Sequence, residues 1–116
     1  KNQNKHMEIY HKEDLVARKV KLCETLFSKA RGLMFSKIKP LLIANKHEFV
    51  ISIHMLFVFG AIDALWLNKD LEIVYIKRKL KPFTLLVNPP VQAKYVLELP
   101  AGYASELKVG NKLTFK

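Results

Sequence analysis

Fourteen consecutive uncharged residues, Phe49 to Ile62, occupy the middle of this 116-residue chain. A membrane-spanning helix needs about 20 apolar residues, and Ser52, His54 and Gly60 interrupt this shorter run. The segment is therefore read as buried core, covered on both faces or crossing the middle of a barrel. Whatever fold the chain adopts must wrap it.

The flanking sequence supplies short strand-like pieces. Ala17 to Glu24 alternates, with Val20 and Leu22 on one side and Lys19 and Lys21 on the other. Leu41–Ala44 and Glu48–Ile53 read as two strands joined by Asn45-Lys46-His47. Ala61–Leu67 and Leu71–Lys79 flank Asn68-Lys69-Asp70 and predict a hairpin. Within it, Ile73 and Tyr75 should face one side, Val74 and Ile76 the other, and Pro82 should end the pairing. Asn88-Pro89-Pro90 marks an exposed loop. Tyr95–Leu99 reads as a strand, Tyr103–Leu107 as one helical turn, and Lys112–Phe115 as the last strand.

A short helix is expected after Thr25, with Leu26, Phe27, Ala30, Leu33 and Met34 as its apolar stripe and Pro40 blocking its continuation. Six or seven short strands and one short helix predict a mainly β fold bordering on α+β, a compact barrel-like sheet that is closed or nearly so. Residues 1–15 are polar and aperiodic, which suggests a flexible arm or a loosely packed first strand. Residues 16–116 read as a single β-rich domain.

Twenty Lys and Arg face ten Asp and Glu, a formal net charge of +10. Such an excess suits anionic partners, nucleic acid among them, or serves solubility alone. Only Arg18, Arg31 and Arg78 are arginines, and forked base or phosphate recognition leans on Arg. The best nucleic-acid strip is Lys77, Arg78, Lys79 and Lys81. Cys23 is the lone cysteine, which excludes an internal disulfide and a cysteine metal cluster. The chain has no glycine-rich phosphate loop, zinc helix or nucleophile elbow, and its four histidines are not spaced as a metal set. No cofactor or metal is expected, and catalysis is disfavoured. With no transmembrane segment, a cytoplasmic location is expected. The alternative is extracytoplasmic, after loss of a leader upstream of Lys1.

Several polar groups stand where apolar ones are expected. Asp63 ends the uncharged run and needs a partner if buried. An ion pair with Arg31 or a backbone cap at a barrel corner would serve, and ligand binding is the functional alternative. Glu98 lies between Leu97 and Leu99, so alternation turns it away from both, toward solvent or into a pocket wall. His54, in the most apolar stretch, reads as a hydrogen-bonded core histidine before a ligand contact. Met34 and Met55 fill gaps in the bland reading, and Trp66 anchors a core.

Arg31-Gly32-Leu33-Met34-Phe35, Met55 eight residues before Asp63, Val96-Leu97-Glu98-Leu99-Pro100-Ala101-Gly102 and Gly110-Asn111-Lys112-Leu113 resemble the family called domain of unknown function 192. The likeness spans roughly Val16 to Phe115. It implies a compact β-rich fold with no established activity, and many members are exported. Family members commonly carry an aromatic-Met-Lys-Asn-Thr string before the Asp. His54-Met55-Leu56-Phe57-Val58 stands there in this chain, which implies a drier pocket. A shorter stretch, from Leu99-Pro100 through Leu107 to Leu113, is similar to the strand-helix-turn core of AbrB-like DNA-binding domains.

Three functions compete on these residues. The first is a non-catalytic module binding a small molecule or protein through Arg31, Met34, His54, Asp63 and Glu98 at one barrel mouth. The second is a nucleic-acid binder using the Lys-rich strip. The third is a hydrolase or transferase with Asp63 or Glu98 as base.

Overall fold

The computed structural model describes residues 6–24, 38–53, 55, 58–84 and 86–116. The expected helix after Thr25 lies outside these residues, as do Arg31, Met34 and His54. The described chain is mainly β. Its strands are β1 (His6–His11), β2 (Asp14–Cys23), β3 (Leu41–Phe49), β4 (Ile62–Leu67), β5 (Ile73–Leu80), β6 (Ala93–Pro100) and β7 (Leu113–Phe115). They form one sheet in the order β5-β4-β6-β3-β2-β1-β7. All neighbours are antiparallel except β2 and β3, which run parallel with Lys21 beside Leu41 and Cys23 beside Ile43.

The sheet curls into a half-barrel whose two edges approach each other. Glu72 bridges Lys112, and Ile73 N–H donates to the Asn111 carbonyl at 2.8 Å. One apolar cluster draws on every strand: Ile9, Val20, Leu42, Leu65, Ile73, Leu97 and Leu113 among others. That is the interior. Ala104 and Leu107, from the turn after β6, close one end of it. Tyr103, Ser105 and Leu107 N–H groups bond to carbonyls three residues back, so this segment is a series of turns and not the predicted helical turn.

A second cluster lies on the outer face of the same sheet. Leu41 and Ile43 of β3, Ala64 and Trp66 of β4, and Val96 of β6 contribute from below, while Ile51, Ile53, Met55, Val58 and Val87 cover them. The described residues between β3 and β4 thus form neither a two-faced strand nor a barrel crossing: Ile51, Ile53, Met55 and Val58 are a cover laid on the outside of the sheet. Ile53 and Val87 exchange backbone hydrogen bonds at 3.0 and 2.7 Å, and Met55 and Phe83 extend the pairing. Trp66, fully buried, ties the cover down by donating from Nε1 to the Ile51 carbonyl at 2.7 Å.

Three local expectations fail for identifiable reasons. Asn45-Lys46-His47 does not join two strands; β3 runs through it, and Asn45 reaches across to the Lys94 carbonyl at 3.3 Å. Val74 and Tyr75 both pack toward the outer cluster, whereas Ile73 and Ile76 serve the interior. The cause is a bulge, since Leu67 pairs with Ile73 but Trp66 with Tyr75. The Asn88-Pro89-Pro90 loop is not wholly exposed: Pro89 within it is buried, as is Val87 just before it. Residues 6–11 form a strand packed through fully buried Ile9, which is the first-strand alternative for that stretch. The hairpin stands as expected, because Asn68 Oδ1 accepts from the Asp70 and Glu72 N–H groups at 2.9 and 3.0 Å. Among the described residues no helix is long and apolar enough to cross a membrane.

Candidate functional site

Asp63 and Glu98 are close in register and opposed in direction. On β4 and β6, Asp63 pairs with Leu99 and Ala64 with Glu98. Leu99 belongs to the interior cluster and Ala64 to the outer one. Successive side chains in a strand point to opposite faces, so Asp63 faces the barrel interior and Glu98 the covered outer face. The two carboxyls do not share a mouth.

Asp63 is 1 % exposed, and its oxygens are occupied. Oδ1 accepts from Lys79 N–H at 2.9 Å, and Oδ2 accepts from Gly102 and Ala104 N–H at 3.0 and 3.1 Å. The Lys79 donor is free for this because β5 bulges there: Ile62 pairs with Leu80 but Ala64 with Lys77. Lys79 adopts φ of 54° and Gly102 φ of 98°, and each turns its N–H toward the carboxylate. This is the backbone cap at a barrel corner, and it leaves Asp63 poorly placed to serve as a base.

Glu98 is 6 % exposed and not solvent-facing. Its neighbours across the sheet are Leu41 on β3 and Ala64 on β4. Burial alone pushes its carboxyl up from 4.5 to about 7. No described residue donates a hydrogen bond to it. A carboxyl so placed is about half protonated at neutrality, and its protonated form can donate as well as accept.

The basic strip divides. Lys77, Lys79 and Lys81 are exposed. Arg78 turns its guanidinium onto the carbonyls of Ala104 and Leu107, so its fork is spent on the closing turn.

A separate hollow of about 530 Å³ lies where β3 departs from β6, lined by Glu24, Ala44, Asn45, Lys46, His47 and Phe49. Sequence reasoning missed it, because it forms at an irregularity between Ala44 and Phe49 that no local motif announces. Among the described residues, no group of three His, Cys, Asp or Glu side chains is placed to hold a metal ion.

The family model for domain of unknown function 192, described as an uncharacterized ACR, matches residues 8–115. A UPF0127 protein of Pyrococcus furiosus is 34% identical over 99 residues, covering 81% of this chain and 84% of that protein. One from Thermococcus sibiricus is 30% identical over 104 residues, covering 84% of this chain and 66% of that protein. The chain thus spans about two thirds of the latter's length. A crystal structure of a protein of unknown function from Novosphingobium aromaticivorans superposes with a TM-score of 0.81 at 17% identity, over 94% of this chain and 83% of that one. A second, described as a candidate transcription regulator from Sinorhizobium meliloti, gives 0.83 at 19% identity, over 95% and 92%. Likeness at that identity speaks for the fold alone. With a family match over almost its whole length, the chain belongs to the uncharacterised domain of unknown function 192 family.

Proposed function

We propose that this domain is a non-catalytic binding module in which Glu98 is the recognition group for a small molecule presenting an amine or hydroxyl. The observation that carries the reading is a carboxyl buried on the covered face of β6 with no donor from any described residue. Among the described residues no fully buried side-chain oxygen or nitrogen lacks a partner, so the Glu98 oxygens keep a narrow contact with solvent, and a ligand donor would take the place of water there. Arg31, Met34 and His54 remain proposed members of the site on sequence grounds. Asp63 holds the closing turn.

The test is a thermal-shift series with ethanolamine, spermidine and glucose on the wild type and on Glu98→Leu. The substitution removes the acceptor while keeping apolar volume. At least one probe should raise the wild-type melting temperature and leave Glu98→Leu unmoved. A shift that survives the substitution, or none with any probe, contradicts the reading.

The nucleic-acid alternative keeps one favourable observation: Lys77, Lys79 and Lys81 lie exposed along and just beyond β5. It calls for DNA affinity that falls with salt at a log–log slope of about 2 to 3, one unit or slightly less per neutralised phosphate. Salt-independent absence of binding removes it.

A further inference from the structure

Between Met7 and Ile9, β1 advances two residues while β2 advances three, from Val20 to Ala17. Arg18 and Lys19 together therefore oppose Glu8 across a bulge. Lys19 holds φ of 55°, a left-handed conformation that side chains disfavour and that glycine would fill without strain. On the other side of β1, Glu8 and Lys116 exchange both backbone hydrogen bonds at 2.8 Å. Ile9 is fully buried in the interior, so alternation turns Glu8 outward, between cations on both sides.

These residues, with Met7, line a hollow of about 280 Å³. The Glu8 carboxylate is engaged, since it accepts the Tyr10 hydroxyl at 2.6 Å. The Lys116 ammonium lies 4.8 Å from the centre of the Tyr10 ring. Tyr10's phenol is pushed above its ordinary value, first by its bond to Glu8, and Arg18 pulls it back. Arg18's charge is therefore felt in the same cluster. The side chains of Arg18, Lys19 and Lys116 against Glu8 leave the hollow with a formal side-chain charge of +3 − 1 = +2.

We propose that this hollow binds the phosphate group of a small phosphomonoester. Such a group carries about two negative charges at neutral pH, which matches the surplus. Arg18 supplies a fork for paired oxygens, and the two lysines supply point charges. The hollow's volume, at the small end for ligand pockets, limits the occupant to roughly a sugar phosphate or mononucleotide. This site is independent of Glu98.

The test is an amide NMR titration with inorganic phosphate, then phenyl phosphate, at constant ionic strength, with sodium chloride as reference. Saturable shifts are expected at Glu8, Arg18, Lys19 and Lys116. Arg18→Ala and Lys19→Gly should each weaken binding about three- to tenfold, the range for losing one partly exposed charged contact. Lys19→Gly should keep its melting temperature, because glycine suits the backbone there, and Lys108→Ala should bind as the wild type does. Shifts that never saturate, that sodium chloride reproduces, or that both variants retain overturn the proposal. So does a DNA fragment that moves these amides when neither phosphate probe does.

Discussion

Asp63 and Arg78 grip the same residue from its two sides: Asp63 Oδ2 accepts the Ala104 N–H at 3.1 Å, and Arg78 donates to the Ala104 carbonyl. The two side chains come from the paired strands β4 and β5. Between them they fix the turn that delivers Ala104 and Leu107 into the interior.

Asp63→Ala should destabilise the protein severely. It strands the buried N–H of Ala104 and removes the partly buried bonds of Lys79 and Gly102, at about 1–3 kcal/mol for the first and about 1 kcal/mol for each of the others, roughly 3 kcal/mol or more in all. Asp63→Asn, which keeps one acceptor, should cost less. Urea unfolding measures both. A wild-type midpoint for Asp63→Ala would mean that the carboxylate is not holding the turn.

Arg78→Lys should loosen residues 101–107 selectively. A single ammonium cannot fork to two carbonyls, and the expected cost is about 1 kcal/mol. Amide hydrogen exchange at Leu107 should quicken while the Ile53–Val87 pairing stays protected. Uniform change across the sheet would contradict a local clamp.

Trp66→Phe should release the cover. The ring volume stays mostly filled, but the hydrogen bond to the Ile51 carbonyl is lost, at about 1 kcal/mol or somewhat more with the packing change. Exchange at Ile53 and Met55 should rise more than at Leu97 on the interior face. Equal increases at all three would show that the cover and barrel open together.

Glu98 sets a pH dependence of known sign. Its folded value, about 7, stands above its ordinary 4.5. Below 4.5 both folded and unfolded forms hold the proton and no penalty exists. Between 4.5 and 7 the unfolded chain ionises first, so stability falls as pH rises, by on the order of 3 kcal/mol in all. Glu98→Gln should flatten this slope in denaturant unfolding at pH 4.5 and pH 7.5. An unchanged slope would assign the dependence to other groups.

Much of this architecture can be read from the residues. Asn68-Lys69-Asp70 announces the hairpin because Asn68 can close its own turn, and Pro82 limits β5 because proline cannot extend the pairing. Bulges are what escape. Nothing local at Val74 or Lys79 shows that one strand carries an extra residue, yet those extra residues decide which face Tyr75 takes and give Asp63 a donor. Glu98 was legible as pointing away from Leu97 and Leu99. That the face it points to is covered depends on Ile51, Ile53, Met55 and Val58 packing over the outside of the sheet, a long-range arrangement that periodicity does not contain. The cations around Glu8 were invisible for the same reason, since they meet across three strands.

Carbon-detected NMR titration of the Glu98 side-chain carboxyl tests the account at its centre. A midpoint near 7 is predicted, moving when a donor ligand binds. A midpoint at or below 4.5 would mean an ionised, well-solvated or already paired carboxylate, and Glu98 could not be the waiting recognition group described here.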